Sequence, residues 1–395
     1  MRIEHITIEN YRLFKRAEVH DLPGMAVFVG ANGAGKSTLF DVFGFLRDAL
    51  KENVHVALGK RGGFKEVVSR GCDGPIRFEI KFREDGVNQP LVTYELAIAL
   101  LDGRPIVERE VLKYRRGSRG KPWHFLDFAR GVGSAITNEA DYDPQADSAK
   151  TEKREEQRLE SPDILAIKGL GQFQRFKVVT AFRRLIESWH LSDFHVSEAR
   201  PSQEMGYAEH LSPHGDNLPL VTQYLYQHHR AAFDEVLTRM KHRVPGVTSV
   251  EAAETVDGRV VLRFQDGAFQ DPFVSRYVSD GTIKMFAYLV LLHDPSPHPL
   301  LCVEEPENQL YPTLLDELAE EFRDYAIRGG QVLISTHSPD LLNGVKLEEV
   351  YWLRKKDGYT TIERAYDSEQ LRALVDEGDL PGALWKQGLF DGVNP

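Results

Sequence analysis

Cysteine is scarce: Cys72 and Cys302 are the two in a chain of 395 residues. That count excludes a disulfide scaffold and a cysteine-rich metal site, and it fits a reducing, cytoplasmic setting. Long apolar runs are missing as well. No stretch approaches the length of a membrane span, and Met1-Arg2-Ile3-Glu4-His5 does not open a signal peptide, so no membrane partner is expected. An excess of positive charge is also lacking. The net charge of −11 gives no global pull toward nucleic acid, so any DNA contact has to come from a local patch. Internal repeats are absent, as is any heptad run long enough for a coiled-coil arm. The hydrophobic fraction of 42% still describes a globular chain able to bury a substantial core, with room for two or three domains.

Against this background one stretch stands out. Gly30-Ala31-Asn32-Gly33-Ala34-Gly35-Lys36-Ser37, followed by Thr38, matches G-x-x-x-x-G-K-[ST]. The apolar run Met25–Val29 leads in as a buried strand, and Thr38–Leu46 leads out with helical apolar spacing. Glycines let backbone N–H groups curl around a phosphate, and the helix start adds its positive dipole end. Lys36 is expected to reach the β- and γ-phosphates, and Ser37 to offer its hydroxyl to Mg2+. The chain is therefore expected to bind a nucleoside triphosphate.

Before this loop, alternation in Met1–Glu9 and the segment Phe14–Val19 predict a hairpin. After it, Ile76–Phe82, Val92–Leu100 and Ile106–Tyr114 alternate as an antiparallel meander. Residues 115 to 161 are polar and charged with little periodicity, which reads as an exposed or partly disordered insertion. Ile164 to Trp189 is helical, with Phe173, Phe176, Val179, Phe182 and Ile186 close to one core-facing side. Leu218 to Val244 is a further helical stretch, and Val247–Glu254 with Arg259–Gln265 forms a hairpin.

The remaining chemistry crowds into the last third. Leu300–Val303 is a short apolar strand that delivers Glu304 and Glu305 to a sheet edge. Beside a triphosphate, Glu304 is expected to act through the Mg2+ shell and Glu305 to orient the attacking water. His337 ends a second apolar strand, Val332–Ser335, at the same expected edge. Ser279-Asp280-Gly281-Thr282 opens an apolar helix; Ser279 or Asp280 is a candidate cap, and the helix start is a candidate anion site, with a plain cap as the alternative.

Together these segments resemble the ATP-binding-cassette-type heads of DNA repair and chromosome-maintenance ATPases, and are most similar to stand-alone AAA_21-type ATPases related to the OLD family. The resemblance implies an α/β P-loop NTPase fold with a mixed central sheet, flanking helices and an N-terminal antiparallel β subdomain. It divides the chain into an N-terminal lobe 1–114, a variable, partly helical insertion 115–205 and a C-terminal lobe 206–395. By the resemblance, Gly30–Ser37 is Walker A and Ser279–Thr282 the signature loop. Leu300–Glu305 is then Walker B, Pro306–Pro312 the D-loop and His337 the switch histidine. Lys36, Glu305 and His337 are the implied catalytic residues. Gly30 to Thr38 with Ser279, Asp280 and Gly281 hold ATP, and Ser37 with Glu304 hold Mg2+. Three departures stand: Glu304 replaces the commoner Asp, Tyr311 replaces the D-loop His, and Gln89 is a weak candidate for the Q-loop.

The resemblance also implies that two heads sandwich two ATP molecules as a homodimer. It points to a nucleic-acid transaction, with bacterial defence against foreign DNA as the leading expectation. In OLD relatives a TOPRIM nuclease follows the head; here the tail from Asp376 is too short for one, so such an effector is expected on a separate chain. A structural ATPase clamp on DNA, without an effector, is the alternative. A transporter subunit is disfavoured by Asp280, which stands where a transporter signature loop has Gly. DNA itself is a candidate partner through Lys113, Arg115, Arg116, Arg119 and Lys121, with Trp123 and His124 beside them to stack on a base; a solvated loop is the other reading of that cluster.

Overall fold

Period-two patterning governs the first part of the chain. In the computed structural model, which describes residues 1–83, 90–114, 123–138 and 153–390, strand Ile76–Arg83 buries Ile76, Phe78, Ile80 and Phe82 and turns Arg77, Glu79 and Lys81 outward. Strand Leu91–Leu101 does the same with Val92, Tyr94, Leu96 and Ile98. These strands belong to an antiparallel sheet ordered Phe14–Val19, Arg2–Tyr11, Ile76–Arg83, Leu91–Leu101, Arg104–Tyr114, Trp123–Ala129, Val132–Ile136 and Arg154–Arg158. The N-terminal hairpin and the meander are thus present. The polar insertion is not wholly irregular: its described residues add three strands to the same sheet, because ladder pairing satisfies their backbone whatever their side chains do.

This sheet lies in the first of two units, formed by Met1–Pro23, Gly30–Trp189 and Tyr351–Asp367. Helix Lys36–Lys51 and helix Lys177–Glu187 cover its apolar face through aromatic contacts. Phe82 and Phe182 stack at 4.6 Å, Tyr94 meets Phe182 at 4.7 Å, and Phe45 meets Tyr11 and Phe78 at 5.9 and 5.6 Å. Phe176, Val179, Phe182 and Ile186 are buried as expected, but Phe173 is 54% exposed because it precedes the helix rather than sharing its face.

The second unit, Gly24–Val29, His190–Val350 and Ser368–Pro395, contains parallel strands ordered His190–Ser192, Leu301–Glu304, Val332–Thr336 and Met25–Val29. Their apolar runs are buried throughout, as strands covered on both faces require. Helices Asp280–Leu292 and Thr313–Ile327 flank them, and the hairpin Val247–Glu254/Arg259–Asp266 belongs to a separate small sheet, with Phe264 against Phe286. The long helical stretch divides at His229 into Leu218–His228 and Arg230–Arg243. No described helix is long and apolar enough to cross a membrane.

One buried acid ties the first unit together. Glu110 is fully buried and accepts hydrogen bonds from Ala166 N, Ile167 N and the Tyr94 hydroxyl. Burial raises its pKa from 4.5 to about 7, and the three donors only partly offset that rise. A folded-state pKa above the unfolded value gives stability that is complete below the unfolded value and lost as pH climbs through the folded one. Between pH 4.5 and about 8 the wild type should therefore lose roughly 3 kcal/mol that Glu110→Gln does not lose. Urea midpoints of the two proteins across that range check it: the gap must shift steadily in the variant's favour.

Candidate functional site

The phosphate loop begins at the covalent step from Val29 to Gly30. Val29 lies opposite Thr336 in the parallel sheet, so the loop leaves from the carboxyl edge of those strands. Gly33 and Gly35 have φ of +77° and +104°, a region that Cβ-bearing residues avoid, and a Cβ on Gly30 would sit 2.9 Å from Leu353 O. Ala34 N donates to Ala31 O, and the Thr360 hydroxyl donates to Ala34 O at 2.8 Å, fixing the loop's curl. Helix Lys36–Lys51 starts at left-handed Gly35 with no side-chain cap and no acid in its first turn. Such a start presents N–H groups and a positive dipole end to an anion. Lys36 is buried and folds back, its Nζ donating to Gly30 O at 2.7 Å. Ser37 is exposed at the same helix start.

The acids gather in the second unit. Glu304 ends its strand opposite Ser335. Glu305 follows with φ +42°, a left-handed backbone that turns its carboxylate out of line with Glu304, and its N–H donates to Ser335 O at 2.9 Å. His337 Nδ1 lies 3.4 Å from Glu305 Oε1 and 3.5 Å from Glu307 Oε1, and Asn308 Nδ2 donates to Glu305 Oε2 at 3.1 Å. Glu305 and His337 thus meet at one sheet edge, a contact that the sequence reading did not specify.

Glu307 and Lys284 are functional candidates that the sequence reading missed. Glu307 is nearly buried and accepts the Thr336 hydroxyl at 2.6 Å and His337 N at 3.0 Å. Lys284, 2% exposed, donates to Asn308 O at 2.6 Å; burial pulls its pKa down to about 8 although Glu307, Asp193 and Glu305 pull it up. The acid run Glu304-Glu305-Pro306-Glu307 was visible in the sequence, but which acid turns inward was not.

Ser279 caps helix Asp280–Leu292, its hydroxyl accepting from Thr282 N at 3.3 Å, and it remains exposed. Asp280 does not cap; its carboxylate pairs with the Arg200 guanidinium. Gly281 lets the helix start approach the following turn, since a Cβ there would lie 3.2 Å from Gln309 O. Gln89, Arg115, Arg116, Arg119 and Lys121 lie outside the described residues. The described neighbours correct one expectation: Trp123 is 4% exposed and packs beside Tyr114 and Phe125, so its ring offers no face to a base. Lys113 is paired with Glu95, and His124 Nδ1 lies 3.3 Å from Asp127.

Residues 25–343 match the family model described as "AAA domain, putative AbiEii toxin, Type IV TA system". The chain belongs to that family, AAA_21. The AAA_21 chain is also 28% identical over 119 residues to the DNA replication and repair protein RecF of Clavibacter michiganensis subsp. michiganensis (strain NCPPB 382). That match covers 29% of this chain and 27% of RecF, about a quarter of the relative's length. Among solved structures it resembles the SmcHead bound to the C-winged helix domain of ScpA (TM-score 0.55, 12% identity, 92% of this chain and 97% of that one). It also resembles an Smc head domain with an extended coiled coil, bound to the C-terminal domain of ScpA, from Pyrococcus furiosus (TM-score 0.50, 11% identity, 95% and 99% covered). At such identity the likeness is one of fold: the chain shares the mixed α/β architecture of Smc head domains, the fold class that the sequence implied.

The Glu307 arrangement gives a direct test. Glu307→Ala leaves the Thr336 hydroxyl and His337 N without their acceptor, and should destabilise the chain by about 1–3 kcal/mol. Glu307→Gln keeps an acceptor and should lose less. Urea unfolding of both variants checks the order.

Proposed function

We propose that this AAA_21 chain binds ATP with Mg2+ and hydrolyses it, and that the nucleotide controls its self-association in a nucleic-acid transaction. The observation that carries the reading is the uncapped, acid-free helix start at Gly35-Lys36, reached through a glycine-rich loop from a buried strand. Gly30 to Thr38 cradle the phosphates, and Lys36 leaves its own loop carbonyls to meet them. The hydroxyl of Ser37 and the carboxylate of Glu304 are hard oxygen donors of the kind Mg2+ takes, and the ion neutralises phosphate charge when bound. Glu305 orients and deprotonates the attacking water, and His337, beside Glu305, donates to the γ-phosphate.

Glu305→Gln should keep ATP binding and lower turnover by at least about 100-fold, because the cradle is intact while the water loses its base. Lys36→Ala should weaken binding itself. Single-turnover hydrolysis and nucleotide titration separate the two effects; wild-type turnover in Glu305→Gln removes Glu305 from the mechanism.

ATP is further proposed to join two copies as a homodimer, each nucleotide contacted by Ser279, Asp280 and Gly281 of the facing copy. The exposure of Ser279 and Asp280 supports this, since a helix start that faces solvent can also face a partner. With ATP, Glu305→Gln should sediment as a dimer, and adding Ser279→Arg should return it to monomer through bulk at the facing phosphate. A mass indifferent to ATP in both proteins would sink the sandwich.

The transaction we favour is defence against foreign DNA in the bacterial cytoplasm, with a separately encoded effector such as a TOPRIM-type nuclease. The toxin–antitoxin wording of the family description supports it. The second reading, a DNA clamp without an effector, is favoured by the partial similarity to RecF.

A further inference from the structure

We propose that His210, Asp294 and His298 form a binding site for a transition-metal ion of the zinc class, independent of the nucleotide chemistry. One donor atom from each of the three lies within 4.8 Å of the others. The His210 Nδ1 and Asp294 Oδ2 atoms are already 2.6 Å apart. Zinc bonds of about 2.0–2.1 Å place neighbouring tetrahedral ligands about 3.4 Å apart, so modest side-chain rotation converts the present cluster into a coordination sphere.

Further hydrogen bonds fix the backbone at both histidines and the far oxygen of Asp294. Asn217 Nδ2 donates to His210 O at 2.9 Å. Ser296 N donates to Asp294 Oδ1 at 2.8 Å, which leaves Oδ2 turned to His210. The Tyr325 hydroxyl donates to His298 O at 2.5 Å. Asp294 and His298 sit in the turn His293-Asp294-Pro295-Ser296-Pro297-His298-Pro299, whose three prolines each fix one backbone torsion. The Asp294 side chain is only 6% exposed, whereas His210 is 41% exposed. The site is therefore half-enclosed, with its entry on the His210 side. Two imidazoles and one carboxylate suit Zn2+, Co2+ or Ni2+ rather than Mg2+ or Ca2+, which favour oxygen alone. Three protein ligands leave a fourth position for water.

A second cluster, Asp193, His195 and His214, brings its donor atoms equally close but is exposed throughout, and His214 Nδ1 lies 3.0 Å from Asp193 O. It serves as the internal control. The proposed ion would fasten the turn that follows helix Asp280–Leu292 to the segment preceding helix Leu218–His228.

The test is titration of the nucleotide-free, chelator-treated full chain with Co2+, read by visible absorption and calorimetry, then displacement by Zn2+. The proposal expects one equivalent bound with d–d bands of an imidazole-ligated ion. His210→Ala and Asp294→Asn should each weaken it by more than about 100-fold, beyond what loss of an outer partner produces. The double variant His195→Ala/His214→Ala should bind as wild type. His210 is exposed enough that its truncation spares the core, so it decides the matter even if Asp294→Asn misfolds. Absence of stoichiometric uptake, wild-type affinity in His210→Ala, or loss confined to the control variant would each overturn the site.

Discussion

The buried carboxylate of Glu307 is the constraint on which the acid-bearing sheet edge of the second unit depends. It sits in the turn after strand Leu301–Glu304 and takes two hydrogen bonds from the end of strand Val332–Thr336. Those bonds join residues about thirty positions apart and hold two sheet-edge turns in one register. His337 is aimed by the N–H that Glu307 accepts, and Asn308, next in the chain, holds Glu305 Oε2. Lys284 adds the third element, since its ammonium fixes Asn308 O from helix Asp280–Leu292. A charged acceptor out of solvent makes bonds of this kind stronger than neutral ones, and makes its loss correspondingly costly.

How much of this the sequence disclosed depended on the range of the interaction. The phosphate loop was legible because its glycines, Lys36 and flanking strand and helix are all local. The acidic pair and His337 were legible as strand ends, and the structure joins Glu305 to His337. Glu307 was not legible as the inward acid, because that assignment needs Thr336 across the sheet. Trp123 failed for the opposite reason: beside a basic run it reads as a stacking surface, yet the ladder with Tyr114 turns it into the core. The breaks at His229 and before Lys177 interrupt stretches whose apolar spacing continues through them, so periodicity alone ran past both.

Two buried acids show why burial by itself does not set charge. Burial pushes both Glu110 and Glu321 upward. Glu110 is met only by neutral donors, two backbone N–H groups and a phenol, and stays at about 7. Glu321 is met by the guanidinium groups of Arg239 and Arg243 and by His293, and falls to about 2. Positive partners outweigh desolvation where neutral ones do not. The second unit is therefore held by an ionised pin between helices Arg230–Arg243 and Thr313–Ile327. The first is held by an acid that titrates near neutrality.

The left-handed backbone at Glu305 carries the same logic to the candidate catalytic position. A non-glycine residue at φ +42° costs on the order of 1–3 kcal/mol and persists only where its surroundings enforce it. Here they do: its N–H is held by Ser335 O, its side chain by Asn308, and the following turn includes a second left-handed residue, Gln309 at φ +67°. Glycine would relieve the strain but remove the carboxylate, so an acid at this position has to be held there by the turn around it. Strain retained at this acid, while Glu304 one residue earlier keeps its place in the sheet, separates two adjacent carboxylates by backbone geometry. Adjacent acids with divergent directions can serve different partners, one a metal shell and the other a water, which two acids on an ordinary extended strand would serve only from opposite faces.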